Sequence, residues 1–402
     1  MHVSHLSLTN VRNFVRLEVE LPTGPLLVVG GNAQGKTSLL EALYYLAAAA
    51  SPHAGHDREL INFLALRETA PFARFVGEVH RSDRLLRVEI RLLLERPSPA
   101  DEPHLRREIL INGVKRRPSE LAGGLNAVLF LPQDLRVIEG PPAERRRYLD
   151  AAISQGDPHY AASLHDYGQV LVQRNALLKQ LQESDNGLVD PLAFWDERLA
   201  ALGASLIRAR SLVVAELDRL ASPIHSDLTG GAERLRLDYL PSYDPLPTLP
   251  GQLGLPIEAP VDRTTISPAD VQAGMLETLS HLRSEEIQRG QTLIGPHRDD
   301  VRLRLNGIDL RTYGSRGQNR TAMLSLKLAE VEWMRQRTGE WPLLLLDEVL
   351  AELDVPRRQA LLGRVHAADQ AVLTSADAAM FSDDFRRRAT IWHIENGTVR
   401  PL

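Results

Sequence analysis

The chain has 402 residues, is 43% hydrophobic and 25% charged, and carries a formal net charge of −5. That is the make-up of an ordinary globular protein, long enough for two domains or for one α/β domain with a large insertion. Cysteine is absent, which excludes disulfides, thiolate catalysis, thiolate zinc sites and iron–sulfur clusters but leaves histidine and carboxylate metal sites open.

The stretch MHVSHLSLTNVRNF has no basic start leading into an apolar core, and no uncharged apolar run approaches the ~20 residues of a membrane span. A cytoplasmic protein with no membrane partner is expected. Only four of the 47 basic residues are lysines, Lys36, Lys115, Lys179 and Lys327. An arginine excess suits bidentate contact to phosphate or carboxylate; biased genomic base composition produces the same excess.

In chain order, HVSHLSL, FVRLEVEL, LLVVG, RFVGEVH, LLRVEIRLLL and REILING alternate like strands, with Asn112-Gly113 as a hairpin signal. One helix interrupts them. From about Glu144 to Gln288 long helical periodicity takes over, broken by a proline-rich interval, Leu240 to Pro260, that cannot be helix. A further helix is predicted from about Pro268 to Arg289. Strands return at VRLRLNGIDL, where Asn306-Gly307 marks a second hairpin. A helix ended by Gly339, the strand LLLL, a helix over about Val355 to Ala368, and the strands AVLTS and TIWHI complete the chain. The expected fold is α/β, closed by both chain ends: a head in two halves, residues 1–140 and 291–402, with a helical arm domain, residues 141–290, inserted between them.

The sequence GGNAQGKT, Gly30 to Thr37, follows the apolar strand LLVV and opens an amphipathic helix. Gly30, Gly35, Lys36 and Thr37 fit the phosphate-binding loop G-x-x-x-x-G-K-[ST]. The glycines let backbone N–H groups turn inward around an anion, and the helix N-terminus adds partial positive charge. Lys36 is expected on the β- and γ-phosphates of a nucleotide and Thr37 on Mg²⁺. The wholly apolar strand Leu343 to Leu346 ends in Asp347 and Glu348. Ionised carboxylates at the end of a buried strand need a cation nearby, and Mg²⁺ at the phosphate loop supplies it. Asp347 then serves the metal, and Glu348 polarises the attacking water.

The segments LTNVRNF (Leu8 to Phe14), LFLPQDLRVIEGPPAERRRYLDAAIS (Leu129 to Ser154), QRNALL, GPHRDD, SRGQ (Ser315 to Gln318) and LLLLDEVLAELD (Leu343 to Asp354) resemble the RecF family of bacterial repair proteins. Those belong to the ABC-type ATPases that include the SMC proteins. The resemblance spans nearly the whole chain. It implies an ABC-type head with a mixed sheet, and ATP bound along Gly30, Gly31, Asn32, Ala33, Gln34, Gly35, Lys36 and Thr37. It implies that Gln133 contacts Mg²⁺ or the attacking water, and that Ser315, Gly317 and Gln318 form a signature that grips the γ-phosphate of ATP held by a second subunit. Asp354 would link the two sites of that homodimer. The implied activity is ATP-dependent clamping of double-stranded DNA near single-strand gaps, helping the mediators RecO and RecR load recombinase, in replication, recombination and the SOS response to DNA damage.

The chain also departs from the wider ABC pattern. Arg316 stands where the first of two adjacent glycines is common, Gly314 replaces leucine, and Thr374 and Ser375 stand where a switch histidine is expected. Gln133 falls where the family often has glutamate. A weak, switch-like ATPase is expected in place of a motor. An ATP-binding transporter subunit, the alternative, would carry an LSGGQ-like signature and the histidine. An SMC-type structural protein needs far longer heptad coiled coil.

Two basic clusters are candidates for DNA phosphate contacts: Arg106, Arg107, Lys115, Arg116 and Arg117, and Arg145, Arg146 and Arg147. Pairing with the many nearby glutamates and aspartates is the competing reading. GPHRDD lacks the helical i, i+4 spacing of a histidine metal pair and is read as structural or as part of the ATP interface.

Overall fold

The computed structural model describes residues 1–95, 103–183, 191–244, 246 and 262–402. Residues 97–102 of one proline-containing segment, and 245 and 247–260 of the other, lie outside them. The chain opens with β1 (His2–Val11), β2 (Phe14–Glu20), β3 (Gly24–Val29) and helix α1 (Lys36–Ala48). Next come β4 (Phe72–His80), β5 (Leu85–Glu95), β6 (His104–Ile111), β7 (Val114–Arg116) and β8 (Ala127–Phe130). Helices α2 (Arg136–Glu139), α3 (Pro142–Gly156), α4 (Pro158–Glu183) and α5 (Ala193–Leu228) follow, then β9 (Leu235–Leu240) and α6 (Pro268–Arg289). The remainder is β10 (Asp300–Leu305), β11 (Ile308–Asp309), α7 (Leu310–Tyr313), α8 (Arg316–Thr338), β12 (Leu343–Asp347), α9 (Val355–Ala367), β13 (Gln370–Ser375), α10 (Asp383–Arg388), β14 (Thr390–Glu395) and β15 (Thr398–Pro401).

These elements form two compact units, Met1–Asp134 with Glu330–Leu402, and Leu135–Ala329. The first unit holds two six-stranded sheets. One is antiparallel, in the order β2-β1-β4-β5-β6-β7; the other runs β15-β14-β3-β13-β12-β8, parallel except for the β14–β15 hairpin. Helix α1 packs on both. Its Leu39, Leu43 and Leu46 share one core with Leu6 and Leu8 of β1, Phe75 of β4, and Leu343 and Leu345 of β12. A helix apolar on so many sides must be enclosed, and that enclosure fixes its N-terminus at the carboxyl ends of β3, β12 and β13. Ligands of open parallel sheets bind at such strand ends.

The second unit contains α2 to α6 and the small antiparallel sheet β11-β10-β9. This boundary differs from the expected one: residues 291–329 group with the helices and not with the C-terminal half of the head. The reason is the pairing of β10 with β9, register Leu303↔Leu237, a strand the helical reading of the arm does not contain. Its alternation, LRLDYL buried at every second position, is short and sits directly after a long helical pattern.

Buried ion pairs hold the helices of this unit. Arg174 of α4, with no exposed side-chain surface, reaches Asp196 of α5 at 2.7 Å, Glu286 of α6 at 2.6 Å and the Thr292 hydroxyl at 2.8 Å. Removing one partner of such a set costs about 3–5 kcal/mol because the others are left buried and charged. Arg210 of α5 likewise meets Asp150, Asp299 and the Pro296 carbonyl.

The GPHRDD turn is built into that network. His297 Nδ1 lies 2.8 Å from the Tyr167 hydroxyl and its Nε2 3.3 Å from the Thr292 carbonyl. Burial pushes the His297 pKa down to about 4, and Arg298, Arg146 and Arg174 add to the effect. The folded protein therefore resists protonation of a ring that ionises near 6.5 when unfolded. Stability from this group is complete above pH 6.5 and is lost as pH falls towards 4. Thermal melts of His297→Gln should lose part of the acid slope that the unsubstituted protein shows between pH 6.5 and 4.5; superimposable slopes would assign the acid sensitivity elsewhere.

Candidate nucleotide site

The loop Gly30 to Gly35 leaves β3 and delivers the chain to α1. Two glycines are sterically required. A Cβ on Gly30 would run into the Ile394 carbonyl of β14, and one on Gly35, at φ 115°, would lie 2.5 Å from Asn13 Nδ2. The loop is braced from outside: Asn13 Nδ2 donates to the Gln34 carbonyl (3.0 Å), and Asn396 N–H donates to Gln34 Oε1 (2.7 Å). Gln34 is thus a strut with both polar ends used, while Asn32, Ala33, Gly35, Lys36 and Thr37 line the cavity beside the loop.

Lys36 is 5% exposed, and its ammonium donates to the Gly30 carbonyl at 2.8 Å and the Gly31 carbonyl at 3.0 Å. Its third contact is Glu348 Oε1 at 3.1 Å. On the same wall the Thr37 hydroxyl donates to Asp347 Oδ2 at 2.8 Å. That bond uses the hydroxyl proton and leaves the oxygen lone pairs for a cation. Thr37 and Asp347 therefore fit Mg²⁺, which takes one or two protein oxygens and completes its shell with substrate phosphate and water. Among the described residues no cluster of three or more His, Asp or Glu side chains could hold a metal ion by itself.

The cavity, about 750 Å³, is also lined by Arg12, Asn13, Glu59, Phe63, Pro132, Gln133, Asp347 and Glu348, a size suited to a nucleotide. Gln133 lines it too, with its amide nitrogen 2.7 Å from His53 Nδ1. Arg12 is a cavity residue that motif reading missed. It forms a bidentate pair with the buried Glu41 of α1 (2.7 and 2.8 Å) and is held at φ 50°. Its only sequence signal is its place in LTNVRNF, one residue before the brace Asn13. Thr374, noted in the sequence only for what it replaces, touches both strand-end carboxylate residues: its hydroxyl is 2.7 Å from Asp347 Oδ1 and 3.1 Å from the Glu348 backbone nitrogen.

In the second unit, Ser315 caps α8 reciprocally. Its hydroxyl accepts from Gln318 N–H at 3.2 Å, and Gln318 Oε1 accepts from Ser315 N–H at 3.0 Å, a capping box. Gln318 Nε2 also donates to Glu233 at 2.9 Å. Gly317 and Arg316 are exposed. Asp354 caps α9 through Arg357 N–H (3.1 Å) and pairs with the Arg357 side chain.

The basic clusters divide. Arg145 is buried, bidentate to Asp300 at 2.6 and 3.0 Å and bonded to the Gly140 carbonyl; it is a structural tie and not an exposed phosphate contact. Arg146 donates to the Asp299 carbonyl, and exposed Arg147 pairs with Glu144. Arg106 and Lys115 pair with Glu108, Arg107 with Asp57, and Arg116 with Glu120. Arg117 is exposed.

A glycine loop at the amino end of an enclosed helix, facing an Asp-Glu pair at the end of a parallel strand, defines the head of an ABC-type P-loop ATPase. The family model described as RecF/RecN/SMC N terminal domain matches residues 2–399. The chain is 41% identical to the DNA replication and repair protein RecF of Chloroflexus aurantiacus over 99% of both chains, and 42% identical to that of Roseiflexus castenholzii over 100% of both. A solved structure of the recombination mediator protein RecF-ATPrS in the RecFOR pathway superposes with a TM-score of 0.83, at 29% identity, over 100% of this chain and 98% of that one. The chain belongs to the RecF family. No helix among the described residues is long and apolar enough to cross a membrane.

Proposed function

We propose that the protein is an ATP-switched DNA-binding protein of replication and recombinational repair. One observation carries the reading: Lys36, Thr37, Asp347 and Glu348, contributed by positions more than three hundred residues apart in sequence, meet in a single cavity. The membership of the RecF family and the likeness to solved RecF structures bound to nucleotide support it.

In this reading ATP lies along Gly30 to Thr37, with its β- and γ-phosphates at Lys36. Thr37 and Asp347 hold Mg²⁺, whose chemistry is to neutralise charge on the phosphates. Glu348 orients and deprotonates water, assisted by Gln133. Hydrolysis is weak and acts as a timer. Ser315, Gly317 and Gln318 at the start of α8, beside free helix-end N–H groups, contact the γ-phosphate of ATP on a second copy, and Asp354 links the two sites. The ATP-bound dimer retains duplex DNA near gaps and works with RecR and RecO. Arg106, Arg107, Lys115, Arg116, Arg117, Arg146 and Arg147 remain as candidate phosphate contacts, each requiring exchange of any carboxylate or carbonyl partner for DNA.

Light scattering with and without ATP and a gapped duplex tests oligomerisation and DNA binding together. ATP should double the mass and raise DNA retention. Ser315→Arg should keep nucleotide affinity in the single subunit and lose the dimer; loss of that affinity would place Ser315 in its own subunit's site, and equal retention of DNA with and without ATP by the unsubstituted protein would remove the switch.

A further inference from the structure

We infer that Thr374 is a positioning residue for the two strand-end acidic residues of the site, holding the Asp347 carboxylate and the Glu348 backbone. The inference rests on the reading of the cavity as an ATP and Mg²⁺ site.

Thr374 sits near the end of β13, which pairs with β12 in parallel, Asp347↔Thr374. The side chain is 3% exposed. Its single hydroxyl proton has two acceptors in range, Asp347 Oδ1 at 2.7 Å and the Leu346 carbonyl at 3.4 Å. The shorter, charge-assisted bond takes it. The oxygen then accepts from Glu348 N–H at 3.1 Å.

Two consequences follow from these bonds. The Asp347 carboxylate is held from both sides, Oδ1 by Thr374 and Oδ2 by Thr37, so its rotation about Cβ–Cγ is fixed before any metal arrives. Glu348 stands at φ 54°, a left-handed conformation that a glutamate adopts only when its surroundings impose it. The Thr374 bond to its backbone nitrogen is such a constraint, on the backbone from which the Glu348 side chain reaches the cavity it lines. Partners that orient a metal ligand typically change metal affinity or activity 10–100-fold when removed. Thr374 does not line the cavity; its effect passes through Asp347 and Glu348.

The test compares Thr374→Val, which keeps the shape and removes the hydroxyl, with Thr374→Ser, which keeps the hydroxyl. Thr374→Ala is a second deletion should the valine variant fold poorly. Binding of a fluorescent ATP analogue is titrated against Mg²⁺, and kcat and KM for ATP hydrolysis are measured separately. Val and Ala should raise the Mg²⁺ midpoint about tenfold or more and lower kcat by a similar factor, leave Mg²⁺-free nucleotide affinity unchanged, and be rescued by Ser. Unchanged midpoint and kcat in Val and Ala would overturn the inference, as would a serine variant that behaves like valine, or nucleotide affinity lost equally with and without Mg²⁺. Absence of any nucleotide binding by the unsubstituted protein would instead overturn the reading of the cavity itself.

Discussion

Replacing Lys36 with methionine should abolish ATP-dependent dimerisation and ATP-dependent DNA retention. Methionine preserves length and apolar packing but removes every proton the ammonium donates. Charge-assisted hydrogen bonds contribute about 1.5–3 kcal/mol each, so the loss of the one the ammonium gives to phosphate weakens nucleotide binding by roughly 10–100-fold. The loop itself should survive, because Asn13, Gln34 and Asn396 brace it without Lys36. A Lys36→Met protein that still dimerises with ATP at ordinary nucleotide concentration would refute the assignment.

Glu348→Gln separates holding from hydrolysing. The amide keeps the side chain's size and one acceptor for Lys36 but cannot take a proton from water. Loss of a general base lowers a rate about 10²–10⁴-fold, while the loop's phosphate contacts and the Mg²⁺ role proposed for Thr37 are untouched. Single-turnover hydrolysis should therefore nearly stop, nucleotide binding should persist, and the ATP-dependent dimer should accumulate on DNA. Hydrolysis within about twofold of the unsubstituted rate would exclude Glu348 as the base and leave its pairing with Lys36 as its whole role.

The parts of this protein that chemistry constrains locally were readable in its sequence. A phosphate loop must be contiguous, because successive backbone N–H groups form its cradle, and the strand LLLLDE declares both its burial and the cost of its carboxylates. Helices α6 and α9 begin at prolines in their first turn after Ser267 and Asp354, whose side chains cap them. What depends on distant pairing was not readable. The placement of residues 291–329 rests on β9 finding β10 across some sixty residues, and neither strand names its partner. Arg145, Arg146 and Arg147 look equivalent in one dimension, but successive helical residues point about 100° apart. One therefore faces inward to Asp300, one is half-buried and one is in solvent. Thr374 was visible only as a missing histidine; the bond that gives it meaning belongs to the register of β12 against β13.

The Lys36 ammonium donates to the carbonyls of Gly30 and Gly31 and stands in ion-pair contact with the Glu348 carboxylate at 3.1 Å. A phosphate entering the cavity competes with these oxygens for the ammonium. The carbonyls belong to a braced backbone, whereas the Glu348 side chain is 43% exposed, so the exchange falls on Glu348. In the proposed function, the triphosphate and the Glu348 carboxylate contend for one ammonium, so nucleotide binding and release of the base are coupled.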